Sequence, residues 1–184
     1  MNKKRVLVIM LCAVLVLSVF GFTGCSKYSD SKGDSGDVSE QEYKTYRVTL
    51  FFANEEYIAV GDESLEKFMV YESEMESRPG DAYLDALELL RTSPEEGYST
   101  VITENIKFNQ VYLEGDTVFV DFDSNGLNGG SLEETFLISQ IINTLINSFD
   151  EVKQVQFLVD GEAPETLMGH VDTSVPFTED LFLE

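Results

Sequence analysis

Apolar and polar positions alternate, group at helical spacing, and alternate again between residues 46 and 159. Tyr46-Arg47-Val48-Thr49-Leu50-Phe51-Phe52 puts Val48, Leu50 and Phe52 on one face and predicts a strand. Tyr57–Val60 and Leu65–Tyr71 read as two shorter strands. Arg78-Pro79-Gly80-Asp81 punctuates the chain, and Tyr83, Leu84, Leu87 and Leu90 then recur at helical spacing until Ser93-Pro94. Lys107–Phe122 predicts a hairpin. Val111 and Leu113 lead into Glu114-Gly115-Asp116, and Val118, Val120 and Phe122 return in alternation.

The strongest pattern follows. Ser131 and Glu134 have the spacing of a capping box, and Glu133 and Glu134 suit the positive end of a helix dipole. Leu137, Ile141 and Leu145 form one stripe, with Ile138, Ile142 and Ile146 beside it. Gln140, Asn143 and Asn147 are expected on the opposite, wet face. Val155, Phe157 and Val159 then alternate as a last strand before Asp160-Gly161. This order predicts an α+β domain with a single mixed or antiparallel sheet and two helices packed on one face.

The N-terminus follows another pattern. Lys3-Lys4-Arg5 precedes the apolar run Val6–Phe20, and Phe22-Thr23-Gly24-Cys25 follows. The run is shorter than the roughly 20 residues a spanning helix needs. The layout is that of a cleaved secretory signal. It resembles the bacterial lipoprotein signal, with Phe22 where Leu is usual, and this resemblance implies that Cys25 carries the lipid. Ser26–Glu42 is rich in Ser, Gly, Asp and Lys and reads as a flexible tether. The expected organisation is a signal at 1–24, the lipidated Cys25 and tether at 25–44, and one domain at 45–184. The protein is then expected on the outer face of a membrane.

Charge and cysteine count narrow the chemistry. Losing Lys3, Lys4 and Arg5 from a chain of formal charge −22 leaves −25, a surface that repels nucleic acid. Cys12 leaves with the signal and Cys25 takes the lipid, so no disulfide or thiolate metal site is expected in the domain.

Gly130-Ser131-Leu132-Glu133-Glu134, Ile141-Ile142-Asn143-Thr144-Leu145 and Val155-Gln156-Phe157-Leu158-Val159-Asp160-Gly161 together resemble the GerMN domain. Leu89-Leu90 leading to Pro94, Val118–Phe122 with Asp121, Gly169-His170 and Pro176-Phe177 extend the resemblance across roughly 46–182, in the family's order. It implies a compact α+β domain similar to ring-building modules of the sporulation channel. It also implies an envelope lipoprotein of Gram-positive bacteria, involved in sporulation or germination. The implied partners are envelope or sporulation-complex proteins, with self-assembly possible in principle, and the implied domain is not an enzyme.

The residues offer little catalytic chemistry beside this. His170 is the only histidine and reads as a structural hydrogen-bonding residue in a Gly-flanked loop. There is no G-x-S-x-G and no H-E-x-x-H, and no cofactor is expected. Asp121-Phe122-Asp123-Ser124-Asn125-Gly126 matches the first half of a calcium loop, with Asp121, Asp123 and Asn125 as candidate ligands. The closing acid belongs at position 132, which is Leu. The competing reading is an Asn-Gly turn leaving a strand. Tyr43, Tyr46, Tyr57, Tyr71, Tyr83, Tyr98 and Tyr112 fit either a glycan- or peptide-binding surface or the edge of a core. Three functions are therefore weighed: an interaction module, a ligand-binding lipoprotein that captures calcium or a cell-wall fragment, and a two-carboxylate wall hydrolase.

Overall fold

The computed structural model describes residues 42–178. The signal, Cys25 and nearly all of the proposed tether lie outside the described residues. The domain is α+β, as the patterns predict. Its strands form two three-stranded sheets where a single sheet was expected, and a third, short helix joins the predicted two.

Strand β1 (Lys44–Asn54) pairs antiparallel with β2 (Phe68–Ser77) from Lys44 to Ala53. The two-residue β3 (Tyr98–Ser99) pairs with the far end of β1 on its other side, at Ala53 and Asn54. In the second sheet β4 (Phe108–Glu114) and β5 (Thr117–Phe122) make the predicted hairpin. Gly115 takes a left-handed φ of 68° in its two-residue turn, a conformation glycine adopts without steric cost. β6 (Gln154–Val159) lies parallel to β5. Parallel neighbours require a crossover, and the helix between them supplies it.

Between β1 and β2, residues 57–60 belong to helix α1 (Glu55–Val60), not to a strand. Asn54 caps it, its side chain accepting the Glu56 and Tyr57 N–H groups at 3.0 and 3.4 Å. Gly61 closes it in the left-handed region. The next strand begins at Phe68 rather than Leu65 because residues 62–67 turn the chain back toward β1.

Helix α2 (Ala82–Leu89) matches its predicted pattern. The long helix α3 (Ser131–Ser148) begins one residue earlier than the capping signal implies. Gly130 is the N-cap, and Glu133 rather than Glu134 reaches back to the Gly130 N–H at 2.8 Å. Leu137, Ile138, Ile141, Ile142 and Leu145 are fully buried. They share one core with Val48, Leu50 and Phe52 of β1, Ala86 and Leu87 of α2, and Val118, Val120, Val155 and Phe157 of the second sheet. α3 is therefore enclosed on most sides, and Gln140 and Asn143, expected in solvent, are buried. Among the described residues no helix is long and apolar enough to cross a membrane.

Candidate interaction surface

The burial of Gln140 has a clear cause. Gln140, Thr144 and Ser148 stand one turn apart on α3 and run along the edge of β1 opposite β2. Ser148 Oγ accepts the Thr49 N–H at 2.9 Å and donates to the Thr49 carbonyl at 3.2 Å. Thr144 Oγ1 accepts the Phe51 N–H at 3.1 Å. Gln140 Nε2 donates to the Phe51 carbonyl at 3.1 Å, while its Oε1 accepts the Val101 N–H at 3.1 Å. The helix thus takes the place of a strand, continuing the line that β3 begins at Ala53. Buried backbone groups need such partners, since leaving one unpaired costs about 1–3 kcal/mol.

The same bonds reveal what the far side of the sheet presents. Because Thr49 and Phe51 point their N–H groups at α3, antiparallel alternation turns Val48, Leu50 and Phe52 toward β2. Their partners Ser73, Tyr71 and Met69 face back toward β1. Val70, Glu72, Glu74 and Glu76 therefore aim their N–H groups away from the sheet. β2 is the outermost strand in its sheet, so among the described residues no strand pairs with this ten-residue edge. Val70 is 48% exposed and Tyr71 36%. Glu72, Glu74 and Glu76 project from one face, next to Thr49, Arg47 and Thr45 of β1. Thr49 donates to Glu72 at 3.1 Å, and Arg47 lies 3.8 Å from Glu74 with both side chains largely in solvent.

The second sheet handles its edges differently. Phe177 pairs with Val155 through bonds of 2.9 and 2.8 Å, and Glu162 accepts the Val159 N–H at 2.8 Å, so the chain's own later residues cover parts of β6. On β4 the ladder is irregular between Phe108 and Gln110. A bulge of this kind discourages edge pairing.

A buried carboxylate anchors the segment that leads to Phe177. Glu134, freed from capping, is fully buried. Its Oε1 accepts the N–H groups of Leu167 and Met168 at 2.9 and 2.7 Å, and its Oε2 those of His170 and Val171 at 2.8 and 3.3 Å. Four backbone donors and the helix N-terminus stabilise the charge without a cation. His170 joins through its backbone, and its exposed ring sits 3.4 Å from the Gly129 carbonyl. Neither Glu134 nor the α3 ladder was anticipated as such. The spacing of Gln140, Thr144 and Ser148 was the available signal.

The proposed calcium ligands serve local structure. Asp121 Oδ1 accepts the Gly161 N–H at 2.9 Å, tying β5 to the turn after β6. Asp123 Oδ1 accepts both the backbone and the side-chain N–H of Asn125 at 2.7 Å. Those bonds hold the Asp123 carboxyl below its ordinary value. Gly126 follows with φ 99°, and a Cβ there would collide with the Asn105 carbonyl. No group of three or more His, Cys, Asp or Glu side chains is placed to hold a metal ion among the described residues.

The tyrosines divide. Tyr57 and Tyr83 are buried, their hydroxyls donating to Glu63 at 3.0 Å and Glu151 at 2.9 Å. Tyr46 and Tyr98 pack at the core's edge, whereas Tyr43, Tyr71 and Tyr112 are exposed. On the outer face of the first sheet, Phe51 and Val70 floor an open groove of about 550 Å³. Asn143 and Asn147 line one part of it and residues 63–67 another. Glu63 accepts bonds from Lys67 and Tyr57, which hold its carboxyl below the ordinary value, the opposite of the raised value a glycosidase acid needs.

The family model described as Germane, sporulation and spore germination, matches residues 49–165. The chain belongs to the Germane family. The resemblance to the GerMN domain is thereby borne out, and solved structures agree on the fold. The first GerMN domain of the sporulation protein GerM from Bacillus subtilis is 16% identical, with a TM-score of 0.54 over 73% of this chain and 96% of that one. The tandem GerMN domains of the same protein give 18% and 0.53, over 73% of this chain and 45% of theirs. A lipoprotein candidate from Clostridium perfringens gives 16% and 0.50, over 73% and 87%. No curated protein sequence matches.

Proposed function

We propose that this Germane protein is a membrane-tethered, non-catalytic interaction module that supports sporulation, germination or envelope assembly by docking a protein partner. The open outer edge of β2 carries the reading. Exposed edges are ready templates for another chain and are usually blunted or covered. Here α3 covers one side of the β1–β2 sheet, while on the other side no strand pairs with Val70–Glu76 among the described residues, although the Val70 carbonyl accepts the Tyr98 hydroxyl at 3.3 Å. Germane membership supplies the setting. The pattern ending at Cys25 supports an extracytoplasmic address, and the Clostridium perfringens lipoprotein candidate is in keeping with it.

Deletion of the gene in its source cell, followed by complementation, tests the role. Loss of sporulation or germination efficiency is expected, restored by the intact chain and not by Cys25→Ala. Unaltered spores and an unaltered envelope would count against the proposal.

A second reading is capture of a cell-wall saccharide in the Phe51 groove, where an aromatic floor lies beside two side-chain amides. Soluble wall glycan oligomers should then shift the amide resonances of Asn143 and Asn147. Unchanged resonances at millimolar oligomer would remove it.

A further inference from the structure

Resting on the reading of β2 as the docking edge, we infer that its partner is an extended segment with basic and apolar residues in alternation, added to the sheet as a new strand. The edge itself sets the backbone requirement. Outward N–H groups recur at every second residue from Val70 to Glu76, so an occupant must be extended and offer carbonyls at the same spacing.

Side chains set the rest. A strand added beside β2 shares its two faces. On one face it meets Glu72, Glu74 and Glu76, for which Arg47 is the one cationic neighbour on β1. Opposite charges directly across a ladder stabilise by about 0.2–1 kcal/mol per pair, and like charges destabilise. On the other face it meets Tyr71, Ser73 and Met75, all partly exposed, with the serine between the tyrosine ring and the apolar methionine. A segment with Lys or Arg at alternate positions and Val, Ile or Leu between them satisfies both faces at once.

Charge also excludes the nearest competitors. A second copy presents the same glutamates, on a chain of net charge −22 as written and −25 without Lys3, Lys4 and Arg5. Residues 26–41 hold Lys27 and Lys32 against Asp30, Asp34, Asp37 and Glu40, and residues 179–184 add Glu179, Asp180 and Glu184 with no base. Neither flank complements the edge. The three glutamates thus repel self-pairing and admit a basic strand, which is selectivity by repulsion as well as attraction.

The test uses the full chain in detergent and three fluorescein-labelled heptapeptides: alternating Lys-Val, a block isomer of the same composition, and alternating Glu-Val. Alternating Lys-Val should bind at least tenfold more tightly than the block isomer, weaken as salt rises, and slow exchange of the Val70, Glu72 and Glu74 amides. The variant Glu72→Lys, Glu74→Lys, Glu76→Lys changes only exposed side chains. It should lose Lys-Val binding and gain Glu-Val binding. Equal binding of the two isomers, or an unchanged preference in the triple variant, overturns the inference. Protection centred on another strand, or concentration-dependent self-pairing that blocks the peptide, overturns it as well. Peptide selectivity with normal spores in the deletion strain upholds the edge chemistry and removes the sporulation role. A deletion phenotype without peptide selectivity does the reverse.

Discussion

The two sides of the β1–β2 sheet are treated in opposite ways. Along β1, three polar side chains of α3 accept and donate to Thr49 and Phe51 as a neighbouring strand would. Along β2, the corresponding backbone groups meet no strand among the described residues, and the side chains beside them are glutamates. A helix usually presents apolar residues to a sheet face. Here α3 keeps its apolar stripes for the core and meets a sheet edge with a polar one. The sealed side holds β1 against α3, and the docking proposed for the open side would leave those bonds intact.

Removing the buried polar contacts of α3 should cost most. Glu134→Ala strips four N–H groups of 167–171 of their acceptor. The expected loss is about 3 kcal/mol, a fall of roughly 10 °C in melting temperature at about 3 °C per kcal/mol. Calorimetry of the two chains measures it. Gln140→Leu, close in size, leaves the Phe51 carbonyl and the Val101 N–H unpaired and should cost about 2 kcal/mol by urea titration. If it costs nothing, α3 does not act as a surrogate strand.

A smaller effect comes from Tyr83 at alkaline pH. Burial first, and then the bond to the Glu151 carboxylate, push its phenol well above the ordinary value of 10.0. A phenol held neutral by the fold stabilises it fully below the unfolded value, and that contribution fades as pH rises from there toward the folded value. Tyr83→Phe should therefore lose less stability than the parent between about pH 9.5 and 11. Equal slopes in urea melts across that range would contradict the assignment. The smallest effect concerns Asp121, Asp123 and Asn125. Asp121 and Asp123 already accept N–H groups of the protein, and Asn125 donates two of them, so millimolar calcium should raise the melting temperature no more than magnesium at equal ionic strength.

The apolar periodicities were enough to read β1, α2, the β4–β5 hairpin, α3 and β6. Each buries a face wide enough to leave a repeating mark in the chain. Tyr57–Val60 went astray because four residues cannot separate a period of 2 from one of 3.6. The signals that decide it, the Asn54 cap and Gly61, lie just outside the run. The capping box slipped by one because Glu133 and Glu134 are adjacent and both compatible with a helix start. Only the packing of 167–171 distinguishes which one is buried. Gln140 and Asn143 were placed in solvent because polarity alone does not tell a wet face from one that bonds a sheet edge. The open edge of β2 was expected only in kind, as a sheet edge or helix face, since sheet order depends on pairings between distant segments.

Residue-resolved amide hydrogen exchange of the native chain tests the contrast between the two sides most directly. The account predicts that Thr49 and Phe51, bonded to α3, exchange as slowly as core amides of β5. Val70, Glu72 and Glu74 on the same sheet should exchange orders of magnitude faster. Equal protection of the two sets would mean that the β2 edge is already covered, and the docking surface proposed for it would not exist.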